Sequence, residues 1–131
     1  MRYHVFTYGS LMFPAVWGQI VRAPCRSRRA TLTEYARYAV AGETYPGLIV
    51  QAGSAVEGVL YLDVDPADVT RLDAFEGSEY RRIAVQVRLA DGTYADAQTY
   101  LFAAIHRLHR AAWNADAFDV RRFLAEHSPP P

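Results

Sequence analysis

The chain has 131 residues, 51% of them hydrophobic, with fourteen basic residues balancing fourteen acidic ones and a single cysteine, Cys25. That length and apolar content suit one domain with a single sizeable core, and the balanced charge excludes a global field that would draw the protein onto nucleic acid or an anionic membrane. A lone cysteine forms no intramolecular disulfide, no signal-peptide-like run follows Met1-Arg2-Tyr3-His4, and no segment approaches the roughly 20 apolar residues of a spanning helix, so the expectation is a soluble, cytoplasmic protein with a small neutral partner.

In chain order, the β-branched and aromatic stretch from Tyr3 to Tyr8 reads as a strand delivered into a Gly9-Ser10 turn. Phe13, Val16, Trp17, Ile20 and Val21 recur at helical spacing, and Pro14 is tolerated in a first turn, so a helix is expected from Phe13 to Val21. A polar loop from Pro24 to Arg29 precedes a strand from Ala30 to Val40. Tyr45-Pro46-Gly47 and Gly53-Ser54 are turn signals that bracket a short strand from Leu48 to Gln51.

Alternation is clear from Val56 to Val64, with Val56, Gly58, Leu60, Leu62 and Val64 on one face. Asp65 as N-cap and Pro66 at the first helical position start a helix that runs to Glu76 and ends at Gly77, with Asp68 near its positive end. Ile83, Val85, Val87 and Leu89 then alternate up to Asp91-Gly92, a tight turn into a strand from Tyr94 to Phe102. From Ala103 to His127 the spacing of Phe118, Phe123 and Leu124 is helical, and the tail at 128–131 is expected to be disordered. About six strands against two or three helices, without a repeat or a linker, predict a single α+β domain over 1–127. Its sheet is expected to be mostly antiparallel and to close into a small mixed barrel with flanking helices.

Two segments carry candidate chemistry. In Tyr8-Gly9-Ser10-Leu11 a glycine after a strand lets the backbone approach a ligand, with successive N–H groups free to hold a carboxylate or an oxyanion; the same pattern also describes a common turn. In Leu72-Asp73-Ala74-Phe75-Glu76-Gly77-Ser78-Glu79-Tyr80-Arg81-Arg82 the carboxylate of Glu76 falls in the last helical turn. There the negative end of the helix raises its pKa, which suits a general acid-base, while Arg81 and Arg82 would oppose the shift. An exposed helix-end glutamate is the alternative.

Val5-Phe6-Thr7-Tyr8-Gly9-Ser10-Leu11, Tyr45-Pro46-Gly47, Gly58-Val59-Leu60-Tyr61 and the segment from Leu72 to Arg82 occur in one order. That ordered set resembles the γ-glutamylcyclotransferase-like superfamily, closest to its small bacterial and plant avirulence-induced-gene-like branch, over residues 3–103. The resemblance implies a small barrel in which Tyr8, Gly9, Ser10 and Leu11 form part of a substrate cavity and Glu76 is the catalytic acid-base. Tyr80 and Arg82 would shape the pocket or orient the substrate. It further implies cofactor-free cyclisation of a γ-glutamyl amide to 5-oxoproline and a free amine, by a monomer or weak homodimer. Leu11, in place of a polar residue, sets the chain apart from the branch that acts on γ-glutamyl amino acids.

Other signals are weaker. His106 and His109 lack a third ligand, so no metal is expected. Arg26, Arg28 and Arg29 read as a solvated loop, and Cys25 beside them, whose pKa they would lower, has no histidine arrangement to activate it. Ser10 lies outside a Gly-x-Ser-x-Gly elbow. The competing readings are a non-catalytic module binding a metabolite or a protein through the same cavity, and an interaction module using exposed Trp113 and Phe118.

Overall fold

The computed structural model describes residues 2–127, and the tail at 128–131 lies outside them. β1 (Tyr3–Thr7) is followed by a 3-10 turn at Ser10–Met12 and by α1 (Pro14–Ile20). β2 (Ser27–Val40), β3 (Pro46–Val64), α2 (Pro66–Glu76), β4 (Tyr80–Leu89) and β5 (Tyr94–Phe102) come next. The chain then adds β6 (Leu108–Ala112) and α3 (Val120–His127). The order β3-β1-β5-β4-β2 returns to β3 through the β2–β3 pairing, so β1 to β5 close a mixed barrel. Only β1 and β5 run parallel among these pairs. β6 adds outside the barrel, on the far end of β2.

Period-two alternation divides the strands between two apolar clusters. Phe6, Leu32, Leu60, Val87 and Ala97, one from each barrel strand, belong to a cluster that holds no helical residue and fills the interior. Val5 and Tyr61 point the other way, where Val16 and Trp17 of α1, Val69 and Leu72 of α2, and Phe123 of α3 cover them. Trp17 stacks on Tyr61 with ring centroids 3.7 Å apart, which pins α1 to β3. The pocket described below opens between these two clusters.

The helix starting at Asp65 forms as its sequence signals require. Asp65 accepts a hydrogen bond from the Ala67 amide at 3.0 Å, and Pro66 occupies the first turn. Asp68, in that same first turn, is buried and serves a different purpose. Its carboxylate accepts from the amides of Arg22 (3.0 Å) and Ala23 (3.3 Å) and from Arg71 (2.6 Å). It thereby ties the segment after α1 to the start of α2.

Several boundaries and one face differ from expectation. α1 is shorter than Phe13 to Val21, because Phe13 and Val21 take extended capping conformations. β2 starts within the expected polar loop, since Ser27 and Arg28 pair with Tyr61 and Leu60. No turn separates two strands at Gly53-Ser54; β3 is continuous, and Gly53 (φ 80°) with Glu34 (φ 69°) absorbs extra residues in a bulge where the Glu34 carboxylate accepts from the Gly53 amide. A second bulge at Asp63 (φ 55°) shifts the β1–β3 register and moves Val64 off the face of Leu60 and into the cluster under the helices. In the C-terminal stretch Leu108–Ala112 is a strand, recruited by pairing with β2 rather than by its own propensity, and the helix begins only after Phe118.

Although burial works against its charge, the three donors hold the Asp68 carboxyl below its ordinary value of 3.8. The stability it contributes is present above that value and is lost as pH falls through the lower folded one. Asp68→Ala is expected to cost about 2–3 kcal/mol at pH 7 by leaving two amides and Arg71 unpaired. Urea denaturation should show the gap to the native chain shrinking below about pH 4, as the native carboxylate itself becomes protonated.

Candidate active site

The Thr7 hydroxyl at the end of β1 donates to the Val59 carbonyl at 2.8 Å, and the Tyr8 carbonyl accepts from Arg37 at 2.7 Å. Gly9 follows against Pro46, where an added Cβ would lie 2.8 Å from the proline Cδ. Only glycine fits that contact, so the Tyr8-Gly9-Ser10 and Tyr45-Pro46-Gly47 segments meet at one point. The Met12 amide donates to the Gly9 carbonyl at 3.0 Å and closes a 3-10 turn. The amides of Ser10 and Leu11 stand ahead of that first bond and have no partner within the turn.

Glu76 is the last residue of α2, and the Gly77 amide caps the helix by donating to the Asp73 carbonyl at 3.1 Å. A cavity of about 230 Å³ receives the Glu76 side chain. Its walls are Phe6 and residues 7–11, Tyr45 with Pro46, Phe75, Tyr80, Tyr100 and Phe123. The lining holds no lysine, arginine or histidine, and Glu76 is its one acid.

Three phenols in the lining have committed their protons. Tyr8 donates to the Tyr100 carbonyl, Tyr80 to the Pro46 carbonyl and Tyr100 to the Asp73 carboxylate, each at 2.7 Å. All three have pKa values raised well above the ordinary phenol range, first by burial and further by nearby negative charge that includes Glu76. They remain neutral hydroxyls at physiological pH. Arg82 donates to Asp73 at 3.0 Å and to Gln98 at 3.0 Å. Among the described residues none donates a hydrogen bond to the Glu76 carboxyl. A carboxyl that is mostly enclosed and has no protein partner is a group kept for a ligand.

Glu76 has its pKa pushed up to about 8, by burial first and by the Asp73 carboxylate one helical turn earlier second. The direction matches the sequence expectation; desolvation and the like charge of Asp73 are causes that expectation did not include, and Arg82, expected to oppose the shift, is spent on Asp73.

Of the residues singled out from the sequence, Tyr8, Gly9, Ser10, Leu11, Glu76 and Tyr80 line this one cavity. Arg82 does not line it and acts on Asp73 from outside. Phe75, Tyr45 and Pro46 lay within quoted motifs without being assigned to the site, and Tyr100 is reached by the alternation of β5. Phe123 had no signal beyond helical spacing in α3. Trp113 and Phe118 are packed instead of exposed: Trp113 donates to the Thr44 carbonyl at 2.8 Å and faces Arg37, and Phe118 stacks on Phe13 at 4.9 Å. Both rings are half-buried in these contacts rather than fully exposed. The thiol of Cys25 is pushed up by burial and by Asp68, not down by the neighbouring arginines.

Because the folded carboxyl of Glu76 titrates near 8 against an ordinary 4.5, folding holds a proton there that the unfolded chain releases. Stability is therefore lost as pH rises from about 4.5 to about 8. Glu76→Gln removes that loss. At pH 9 the variant should be more stable than the native chain by about 1–3 kcal/mol, a figure reduced for contact with water in the cavity. The two chains should converge near pH 4, as read by thermal melts across that range.

Residues 5–116 match the family model described as γ-glutamyl cyclotransferase, AIG2-like. Protein AIG2 C of Arabidopsis thaliana is 31% identical over 101 residues, 76% of this chain and 61% of that protein. The chain spans 51–62% of the length of the curated relatives it matches. A solution structure of an Arabidopsis thaliana protein superposes with a TM-score of 0.76 at 27% identity, covering 96% of this chain and 76% of that one. A solved γ-glutamyl cyclotransferase shares the fold at 17% identity, with a TM-score of 0.74 over 99% of this chain and 82% of its own. By its motifs, its closed five-stranded barrel and the match across residues 5–116, the chain belongs to the γ-glutamyl cyclotransferase, AIG2-like family.

Proposed function

We propose that the protein is a cofactor-free γ-glutamyl cyclotransferase that converts a γ-glutamyl amide to 5-oxoproline and a free amine, with Glu76 as general acid-base. The observation that carries this reading is the Glu76 carboxyl, without a protein partner, raised to about 8 and sharing a cavity with the amides of Ser10 and Leu11. A group titrating there populates both protonation states near neutrality, as a residue that takes and returns a proton requires.

In the proposed sequence the Glu76 carboxylate removes a proton from the substrate α-ammonium group. The freed amine attacks the γ-carbonyl carbon, and a five-membered ring closes by proximity without a protein nucleophile. Backbone N–H groups of residues 9–11 hold the substrate carboxylate or the developing oxyanion. The γ-carbon to nitrogen bond then breaks while protonated Glu76 gives its proton to the leaving nitrogen. The second proton shed by the α-nitrogen as the ring forms follows through the same carboxyl or cavity water, so the products are 5-oxoproline and the amine in its ammonium form.

The protein should release 5-oxoproline from at least one member of a panel of γ-glutamyl amides. Glu76→Gln should lower kcat by about 10²–10⁴-fold while remaining folded. Chromatographic assay of 5-oxoproline against time checks both. Absence of release from every amide removes the catalytic reading and leaves the cavity a binding site, whereas undiminished release by the folded variant removes Glu76 from the acid-base role.

A further inference from the structure

β6 and the 3-10 turn before it, Ile105–Arg107, contribute no residue to the cavity lining, yet they hold two of the segments that build its walls. The Arg107 carbonyl accepts from the Ala41 amide at 2.7 Å, which sets this turn against the end of β2. The Arg107 guanidinium bonds to the Glu79 carboxylate and pairs with Glu43 at 3.9 Å. The Tyr45 hydroxyl lies 3.5 Å from the same Glu79 carboxylate. Glu43 and Glu79, from two separate segments, thus converge on one guanidinium, whose planar fork suits carboxylates. Tyr45 and Tyr80, which adjoin this cluster, both line the cavity, with ring centroids 6.2 Å apart.

Glu76 closes α2, and the chain leaves the helix through Gly77 at φ 78°. Gly77 has no side chain and Ser78 is exposed, so the turn after Glu76 is fastened at Glu79 and Tyr80. The Glu79 carbonyl accepts from the Ala103 amide at 2.7 Å while its carboxylate takes Arg107. Tyr80 donates to the Pro46 carbonyl at 2.7 Å. The side chains of Arg107, Glu79 and Glu43 keep 28–33% of their exposure, so these pairs add little to stability. Their consequence is positional. Without Arg107 the turn that aims the Glu76 side chain loses its charged anchor, and a displacement of about 1 Å at a reacting group costs up to about 10²-fold in rate.

We propose that Arg107 is a positioning residue: through Glu79 and Glu43 it holds the turn after Glu76 against the Tyr45-Pro46 wall and so keeps the Glu76 carboxyl in place within the cavity. The inference rests on the cyclotransferase reading of Glu76 and adds to it a residue that touches neither substrate nor Glu76. The loop at residues 9–11 is held by Arg37, through the Tyr8 carbonyl, and by Pro46 rather than by Arg107. Turnover therefore depends on Arg107 more than substrate binding does.

The test has one readout that needs no substrate and one that does. Carbon-detected NMR follows the titration of the Glu76 carboxyl in the native chain and in Arg107→Ala. Removing a positive charge by itself raises a carboxyl midpoint, whereas release of the turn lets water reach Glu76 and lowers it. The midpoint is expected to fall by about one unit or more in the variant; an unchanged or higher midpoint overturns the inference. On the panel amide that the native chain cleaves fastest, Arg107→Ala should lower kcat by about 10–100-fold, with KM within about threefold of the native value. Arg107→Lys should recover part of the loss, since an ammonium group reaches one carboxylate but lacks the fork. Undiminished kcat in the folded variant, or a change confined to KM, overturns the inference and leaves the cyclotransferase reading intact. If the native chain releases no 5-oxoproline, that reading fails and the titration alone decides whether Arg107 positions the carboxyl. Circular dichroism checks folding, and Arg107→Gln, which keeps much of the side-chain bulk, takes the place of an alanine variant that does not fold.

Discussion

The contact of Gly9 with Pro46 is the constraint on which the site depends. A side chain at position 9 would collide with the proline ring, so the loop after β1 lies over the start of β3 only because that residue is glycine. Through this contact the loop meets the first residues of β3, and the Tyr80 hydroxyl fastens to the Pro46 carbonyl from the opposite side. Gly47 is just as tightly placed, against the Phe102 ring. Four separated stretches of sequence thereby form one cavity wall, and the last turn of α2 completes it with Glu76.

That packing determines the electrostatics. Each of the three phenols Tyr8, Tyr80 and Tyr100 is directed to a backbone carbonyl or to Asp73, so none of them is left to satisfy Glu76. The result resembles a general rule for reactive groups: the structure satisfies the surroundings and leaves the reacting atom without a partner. Asp73 has two opposed effects. It accepts Tyr100 and Arg82, which orders β5 and β4 against α2, and its charge also makes ionisation of Glu76 harder. Arg82 limits the second effect without entering the cavity.

Much of this was legible in the sequence because local rules and tertiary structure agree. The Asp65-Pro66 helix start, the hairpin around Asp91-Gly92 and the β-branched and aromatic run of β1 each satisfy local propensity and global packing together. The site loop and Glu76 stand in an ordered set of motifs, in which Gly9, Gly47 and Gly58 are required by close approach. Other features depend on contacts that no local pattern encodes. Glu34 and Asp63 adopt positive φ because the long β2–β3 ladder and the β1–β3 register demand bulges there. β6 exists because the end of β2 offers a free edge. Arg82 and Asp73 find each other across the barrel rim, and Phe123 reaches the cavity only once α3 has docked.

The central claim is that the fold keeps the Glu76 carboxyl enclosed, without a protein partner and poised near neutrality. A direct test is a carbon-detected NMR titration of the glutamate side-chain carboxyls, with the Glu76 resonance assigned by comparison with Glu76→Gln. The account predicts a midpoint near 8 for that carboxyl. A midpoint near the ordinary 4.5 would contradict it, since a carboxyl titrating there is either well solvated or already paired.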